Sequence, residues 1–205
     1  ASLLIAEQLA LETLSDAGIP AAKSSVIHAA GRVFFETERF DRDGRRYRHG
    51  TCSLDALDGE FLGSNRTSWF EASRRLAEDG IIPTDSIPRI HVVERFGQLI
   101  GNTDRHFGNL SFFVDGTKVT GLAPIYDMLP MHYAPRGGEL HASMHPFPLP
   151  SPAWGEVAEE ALELADVFWR RIQDSAGVDE GLHRAAAESI QELQKVRAAF
   201  IHLPQ

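Results

Sequence analysis

The chain has 205 residues, 43% hydrophobic and 24% charged, which suits one domain with a sizeable core. Its 29 acidic residues outnumber 20 basic ones, and the net charge of −9 argues against broad nonspecific binding to nucleic acid, while leaving room for local basic patches. A lone Cys52 rules out an internal disulfide, no apolar run reaches the roughly 18–20 residues of a membrane span, and Glu7 and Glu12 interrupt any signal-peptide core, so a cytoplasmic, membrane-free setting is expected.

Residues 2–16 read as a helix with Leu4, Leu11 and Leu14 on one face, ended by Gly18 and Pro20. Glu7 lies off that face and is expected to be solvated; its sharper reading is the helix glutamate that pairs the ATP lysine of a kinase. Residues 24–27 and 33–40 are rich in β-branched and aromatic residues and read as strands joined near Gly31. Residues 41–50 carry Arg42, Arg45, Arg46 and Arg48 around Asp43-Gly44. A solvated hairpin turn explains that stretch, since Asp-Gly favours tight hairpins; a phosphate or partner patch is the alternative. Cys52 reads as a small buried side chain.

Residues 67–77 read as a helix with Trp69, Phe70, Ser73, Leu76 and Ala77 on its core face. A second helix spans about 86–100, with Pro88 in its first turn and Ile90, Val93, Phe96 and Ile100 in one stripe. Residues 110–114 and 118–122 flank Asp115-Gly116 and predict a hairpin. Residues 131–152 are rich in Pro, Gly and His and read as a long irregular loop; His132, His141 and His145 suggest zinc, but Pro146, Pro148 and Pro150 oppose the helix that the i,i+4 spacing of His141 and His145 would need. Two amphipathic helices end the chain. Their stripes are Val157, Ala161, Leu164, Ala165, Phe168 and Ile172, then Leu182, Ala186, Ile190, Leu193 and Phe200. They should pack antiparallel.

The chemistry concentrates in Ile100-Gly101-Asn102-Thr103-Asp104-Arg105-His106-Phe107-Gly108-Asn109. Asp104 and Asn109 stand five apart in a loop. The hairpin after them returns the chain to Asp127. One carboxylate can then position a hydroxyl, while an Asn and a second carboxylate hold Mg²⁺, which is the logic of a protein-kinase catalytic loop. His106 is expected to serve as a supporting hydrogen-bond residue. The spacing alone also suits an ordinary capped loop or a metal-dependent hydrolase.

The wording around these residues is more specific. Gly101-Asn102-Thr103-Asp104-Arg105-His106 with Asn109, and Leu122-Ala123-Pro124-Ile125-Tyr126-Asp127-Met128-Leu129-Pro130, resemble the HipA family of bacterial serine/threonine kinases. Glu38-Arg39-Phe40-Asp41-Arg42 resembles the family's hinge, and Ala17-Gly18-Ile19-Pro20 its lead into the preceding strands. The resemblance implies a mainly α, α+β kinase-like C-terminal lobe. It implies ATP and Mg²⁺ as cofactors, Asp104 as the catalytic residue, Asn109 and Asp127 as metal ligands, and Glu38, Arg39 and Phe40 at the nucleotide. HipA proteins are toxins paired with small DNA-binding antitoxins of HipB type, and their protein substrates are aminoacyl-tRNA synthetases. On that template residues 1–205 form one domain, with 1–40 a remnant of the N-lobe and hinge and 41–205 the helical lobe. No Gly-rich phosphate loop is present, and Lys23 is the only lysine before the hinge. The chain, which starts at Ala1, therefore reads as a piece of a longer kinase that lacks activity alone. The other reading is a catalytically inactive module that binds an antitoxin or another protein.

Overall fold

The computed structural model describes residues 1–44, 47–64, 68–135, 145–147 and 154–201. Arg45, Arg46, Thr67, His141, Pro148 and Pro150 lie outside these residues, as do most of the 131–152 loop and the side chain of Phe200. The opening helix α1 (Ser2–Asp16) leads to an antiparallel hairpin, β1 (Ser24–Ala29) and β2 (Arg32–Thr37). A small ladder follows, β3 (Arg42–Asp43) with β4 (Tyr47–Arg48). Next come β5 (Gly50–Ser53), the single turn α2 (Leu54–Leu57), a π-helical turn over Asp58–Leu62, α3 (Trp69–Glu78) and α4 (Ile87–Leu99). Strands β6 (Ser111–Asp115) and β7 (Lys118–Leu122) precede α5 (Val157–Asp174) and α6 (Glu180–Ile201). The architecture is mainly helical with small antiparallel sheets, as the sequence pattern implies.

Helix α4 forms the centre. Ile90, Val93, Phe96, Leu99 and Ile100 are wholly buried, and His91, Val92 and Glu94 are buried too. A helix enclosed on nearly every side gives up amphipathic contrast. Phe96 meets Phe168 of α5 edge-on at 6.0 Å, and the Trp169 indole N–H donates to the Leu99 carbonyl at 3.3 Å. Helices α5 and α6 run antiparallel. Leu164, Ala165, Phe168 and Ile172 are buried against Leu182, Ala186, Ile190 and Leu193, and Arg197 near the end of α6 pairs with Glu159 at the start of α5. Helix α1 packs on α5, tied by Arg171 to Asp16 at 2.6 Å and to the Thr13 hydroxyl at 3.3 Å.

Three expectations need correction. Strand β5 was not anticipated. It pairs with β6 (Cys52 opposite Phe112) and turns the expected hairpin into a three-stranded sheet. Its Gly50 and Ser53 mask the strand pattern. Gly50 is needed because a Cβ there would meet Val114 Cγ2 at 2.7 Å. Cys52 is only half-buried, and that burial pushes its thiol up. On α1 the buried face is Ala6, Ala10, Leu11, Thr13 and Leu14, while Leu4 stays partly exposed.

Glu94 couples α3 to α4. Its buried carboxylate accepts the backbone N–H groups of Trp69 at 2.9 Å and Phe70 at 3.1 Å, the free donors of the first turn of α3. Ser68 accepts Glu71 N–H beside them. Glu94→Ala leaves those donors buried and unpaired. It should lower stability by about 2–3 kcal/mol and Tm by roughly 5–10 °C in a thermal melt. Glu71→Ala, on the exposed face, should stay within about 0.5 kcal/mol.

Candidate active site

The end of α4 aims the loop. Gly101 N–H donates to Gln98 O at 3.2 Å and Asn102 N–H to Gly97 O at 2.9 Å, the paired bonds that close a helix on a left-handed residue. Gly101 supplies that conformation, with φ +74°, and a Cβ there would crowd His145 and His132 at 3.3–3.4 Å. Asn102 is buried. Its Oδ1 accepts Asp104 N–H at 3.0 Å, and its Nδ2 reaches the Asp127 carbonyl at 3.4 Å.

Asp104, Asn109 and Asp127 come together. Asn109 Nδ2 donates to Asp127 Oδ2 at 2.5 Å and to the Asp104 carbonyl at 3.1 Å. Ligand atoms of Asp104, His106 and Asp127 lie within 4.8 Å of one another. Asp104 and His106 are exposed, Asp127 is half-buried, and Asn109 is buried. His106 Nδ1 accepts Gly108 N–H at 3.1 Å, capping the short turn Phe107–Asn109. That contact requires glycine at 108, since a Cβ would meet the imidazole at 2.9 Å.

The return from β7 is tied on both sides. Ile125 N–H donates to Pro20 O and Ala22 N–H to Ile125 O, both at 2.8 Å. The Tyr126 hydroxyl donates to Gly108 O at 2.6 Å and lies 2.7 Å from Ser111 Oγ. Between these anchors Asp127 adopts φ +54°, a conformation that costs most residues energy and that aspartate tolerates best after glycine and asparagine.

A cavity of about 460 Å³ opens above Asp127, lined by Glu38, Arg39 and Phe40, by Phe35, Thr51 and Tyr126, and by Glu7 and Leu11 of α1. The Phe40 ring stands 5.7 Å from Tyr126 and 6.1 Å from Phe113. Lys23 is outside the cavity, at the exposed rim, 3.9 Å from Glu38. Sequence reasoning set Glu7 on the solvated side; the structure turns it into the cavity. Burial and then the nearby Asp127 charge raise its carboxyl to about 7. Asp127 is raised as well, first by burial and then by Asp104, with the Asn109 hydrogen bond opposing. Asn102, Tyr126 and Ser111 also escaped the sequence reading. The signal for Asn102 was a polar residue straight after the helix-ending glycine.

The donor set suits a hard cation. Two carboxylates and an amide side chain meet beside the cavity that Asp127 lines, and such oxygen donors are what Mg²⁺ selects. Asn109 offers its NH₂ group to Asp127 in this arrangement.

The HipA-like C-terminal domain profile matches residues 1–200. The chain belongs to the HipA-like C-terminal domain family. It is 36% identical over 196 residues to the Toxin YjjJ of Escherichia coli (strain K12), covering 95% of the chain but 44% of that protein. The HipA of Shewanella oneidensis MR-1, solved with HipB and its operator DNA, shares the fold with a TM-score of 0.61 at 18% identity, over 95% of this chain and 55% of its own. The Helicobacter pylori proinflammatory kinase CtkA matches with a TM-score of 0.62 at 12% identity, over 98% of this chain and 84% of its own. The chain thus spans about half the length of the HipA-type proteins it matches, and its fold is that of a kinase-like lobe.

Glu7 gives this site a pH signature. Its folded carboxyl titrates near 7 against an ordinary 4.5, so ionised Glu7 opposes folding. The penalty is absent below the ordinary value, grows between 4.5 and about 7, and is complete above. In metal-free buffer, Glu7→Gln should melt like the parent near about pH 4 and above it near about pH 8. The check is a pair of Tm–pH curves.

Proposed function

We propose that this chain is the C-terminal lobe of an ATP- and Mg²⁺-dependent serine/threonine kinase of HipA toxin type, with residues 1–40 the remnant of the N-lobe and hinge and 41–205 the helical lobe. The observation that carries the reading is the meeting of Asp104, Asn109 and Asp127, the last of which lines a cavity walled by Glu38, Arg39 and Phe40. Asp104 orients a substrate hydroxyl and accepts its proton at the carboxylate. Its exposure leaves it open to a protein substrate. Asn109 and Asp127 would hold the metal through their side-chain oxygens. Bound there, Mg²⁺ would supply positive charge against the phosphates. His106 stays a structural support whose Nδ1 caps the loop.

The cavity walls, which include residues 38–40 and Tyr126, take the nucleotide base. Glu7 is a carboxylate in the cavity with no hydrogen bond or ion pair among the described residues. It fits the helix glutamate that pairs a kinase lysine, and this sequence has no strand lysine to give it. That lysine and a phosphate-covering loop would come from the part of the protein that relatives have beyond this span. Partners follow by analogy: a protein substrate, an aminoacyl-tRNA synthetase on the family pattern, and a HipB-like antitoxin such as the one in the Shewanella complex. The cytoplasm is the matching compartment; among the described residues no helix is long and apolar enough to cross a membrane.

The missing phosphate loop and lysine also favour a second reading, a catalytically inactive module that binds an antitoxin. One experiment separates the two. With radiolabelled ATP and Mg²⁺, residues 1–205 alone should transfer nothing measurable, because positioning and electrostatics supply the catalysis and half of both is missing. The longer protein should transfer phosphate. In it, Asp104→Asn should cut kcat by about 10²–10⁴ with ATP affinity retained, while Asp127→Ala should abolish Mg²⁺-dependent ATP binding. A longer protein with no transfer, or Asp104→Asn with full activity, would support the inactive module.

A further inference from the structure

Five of the chain's 20 basic residues fall in ten positions: Arg39, Arg42, Arg45, Arg46 and Arg48. In a chain of net charge −9 this is a local reversal of sign. Arg42 and Arg48 stand directly opposite each other in the β3–β4 ladder, so their side chains leave the same face. Opposed like charges weaken a ladder, and this one has only two residues in each strand. Internal counter-charge is scarce. Asp41 accepts two hydrogen bonds from Arg39, at 2.7 and 2.6 Å, and sits 3.6 Å from Arg42. Arg39 holds the Asp41 carboxyl down at about 2, a mark of the positive field around it. Among the described residues the Arg48 guanidinium has no hydrogen bond or ion pair.

The ladder is fixed in place beside the cavity. Arg39, Phe40 and Asp41 line the cavity, and Arg42 follows directly. His49 N–H donates to Asp41 O at 2.9 Å, and the His49 ring stands 5.9 Å from Phe113 of β6.

We infer that Arg42 and Arg48 dock an acidic segment of a protein partner at the hinge side of the cavity. That the partner is the phosphorylated substrate rests on the kinase reading; the docking itself does not. Paired guanidiniums suit carboxylates, which they grip through two parallel N–H donors. A nucleic acid fits less well. Its affinity comes from a long row of phosphate contacts, and here the Asp41 and Asp43 carboxylates interrupt the row on a net-acidic chain.

The test uses residues 1–205 without nucleotide or metal, so it is blind to phosphoryl transfer. Fluorescence anisotropy follows a labelled peptide of alternating glutamate and serine, the same peptide with glutamine for glutamate, and a single-stranded oligoribonucleotide. The glutamate peptide should bind, more weakly as salt rises, and the glutamine peptide should not. Arg42→Gln with Arg48→Gln should cost about tenfold or more in affinity. Arg48→Gln alone, which removes no hydrogen bond or ion pair among the described residues, should cost at least about threefold. Arg170→Gln, at an arginine of α5 paired with Asp166, should bind as the parent does. Equal binding of both peptides, an oligoribonucleotide that binds more tightly than the glutamate peptide, no binding at all, or full affinity in Arg48→Gln would each overturn the proposal.

Discussion

Two carboxylates that repel each other are held side by side, and much of the fold serves to keep them there. Asp104 and Asp127 sit 23 positions apart in sequence, yet their carboxylate oxygens lie within 4.8 Å. Burial first, and then the nearness of Asp104, raise the Asp127 carboxyl. The Asn109 amide offsets part of it by donating to the Asp127 carboxylate and the Asp104 carbonyl together. Asn102 does the same from the other side, holding the Asp104 N–H and the Asp127 carbonyl. Each asparagine thus spans both acidic segments, and neither can leave without freeing one of them.

The supports of those asparagines explain the rest of the lobe. Asn102 follows Gly101, which can close α4 only because Ile100 and Leu99 are locked in the core. Asn109 ends the turn that His106 caps, and the His106 carbonyl accepts the Trp69 indole N–H at 3.2 Å. Trp69 opens α3, whose first donors are held by Glu94 of α4. A closed circuit results: α4 to the loop, the loop to α3, and α3 back to α4. Such a circuit fixes the charged groups in place.

The sequence made the helices, the 110–122 hairpin and the Asp104, Asn109 and Asp127 set legible, because each rests on a local signal. Apolar stripes at helical spacing gave α4, α5 and α6. Asp115-Gly116 between two β-rich runs gave the hairpin. Two features escaped for physical reasons. Strand β5 is defined by its partner β6, a non-local pairing, and its residues Gly-Thr-Cys-Ser carry little strand preference. Glu7 was misplaced because helical periodicity reports which side of a helix is apolar, not what faces the other side. Here the polar side of α1 meets a cavity and Asp127 instead of bulk water.

That misplacement carries the last point. A half-buried carboxylate beside a second carboxylate is an unfavourable arrangement unless a cation completes it. Among the described residues the cations around the cavity have other partners. Lys23 lies at the exposed rim with Glu38, and Arg39 is bonded to Asp41. Among the described residues no cation is paired with Glu7, and burial and then the nearby Asp127 raise its carboxyl. The Asp104–Asn109–Asp127 group has its hydrogen-bonded supports already, whereas the α1 side of the cavity still wants positive charge. Phosphoryl transfer needs both halves at once, since the charge on the phosphates must be balanced from above and below. On the proposed kinase reading the Asp104–Asn109–Asp127 group would be one half of such a site, and Glu7 would face the other.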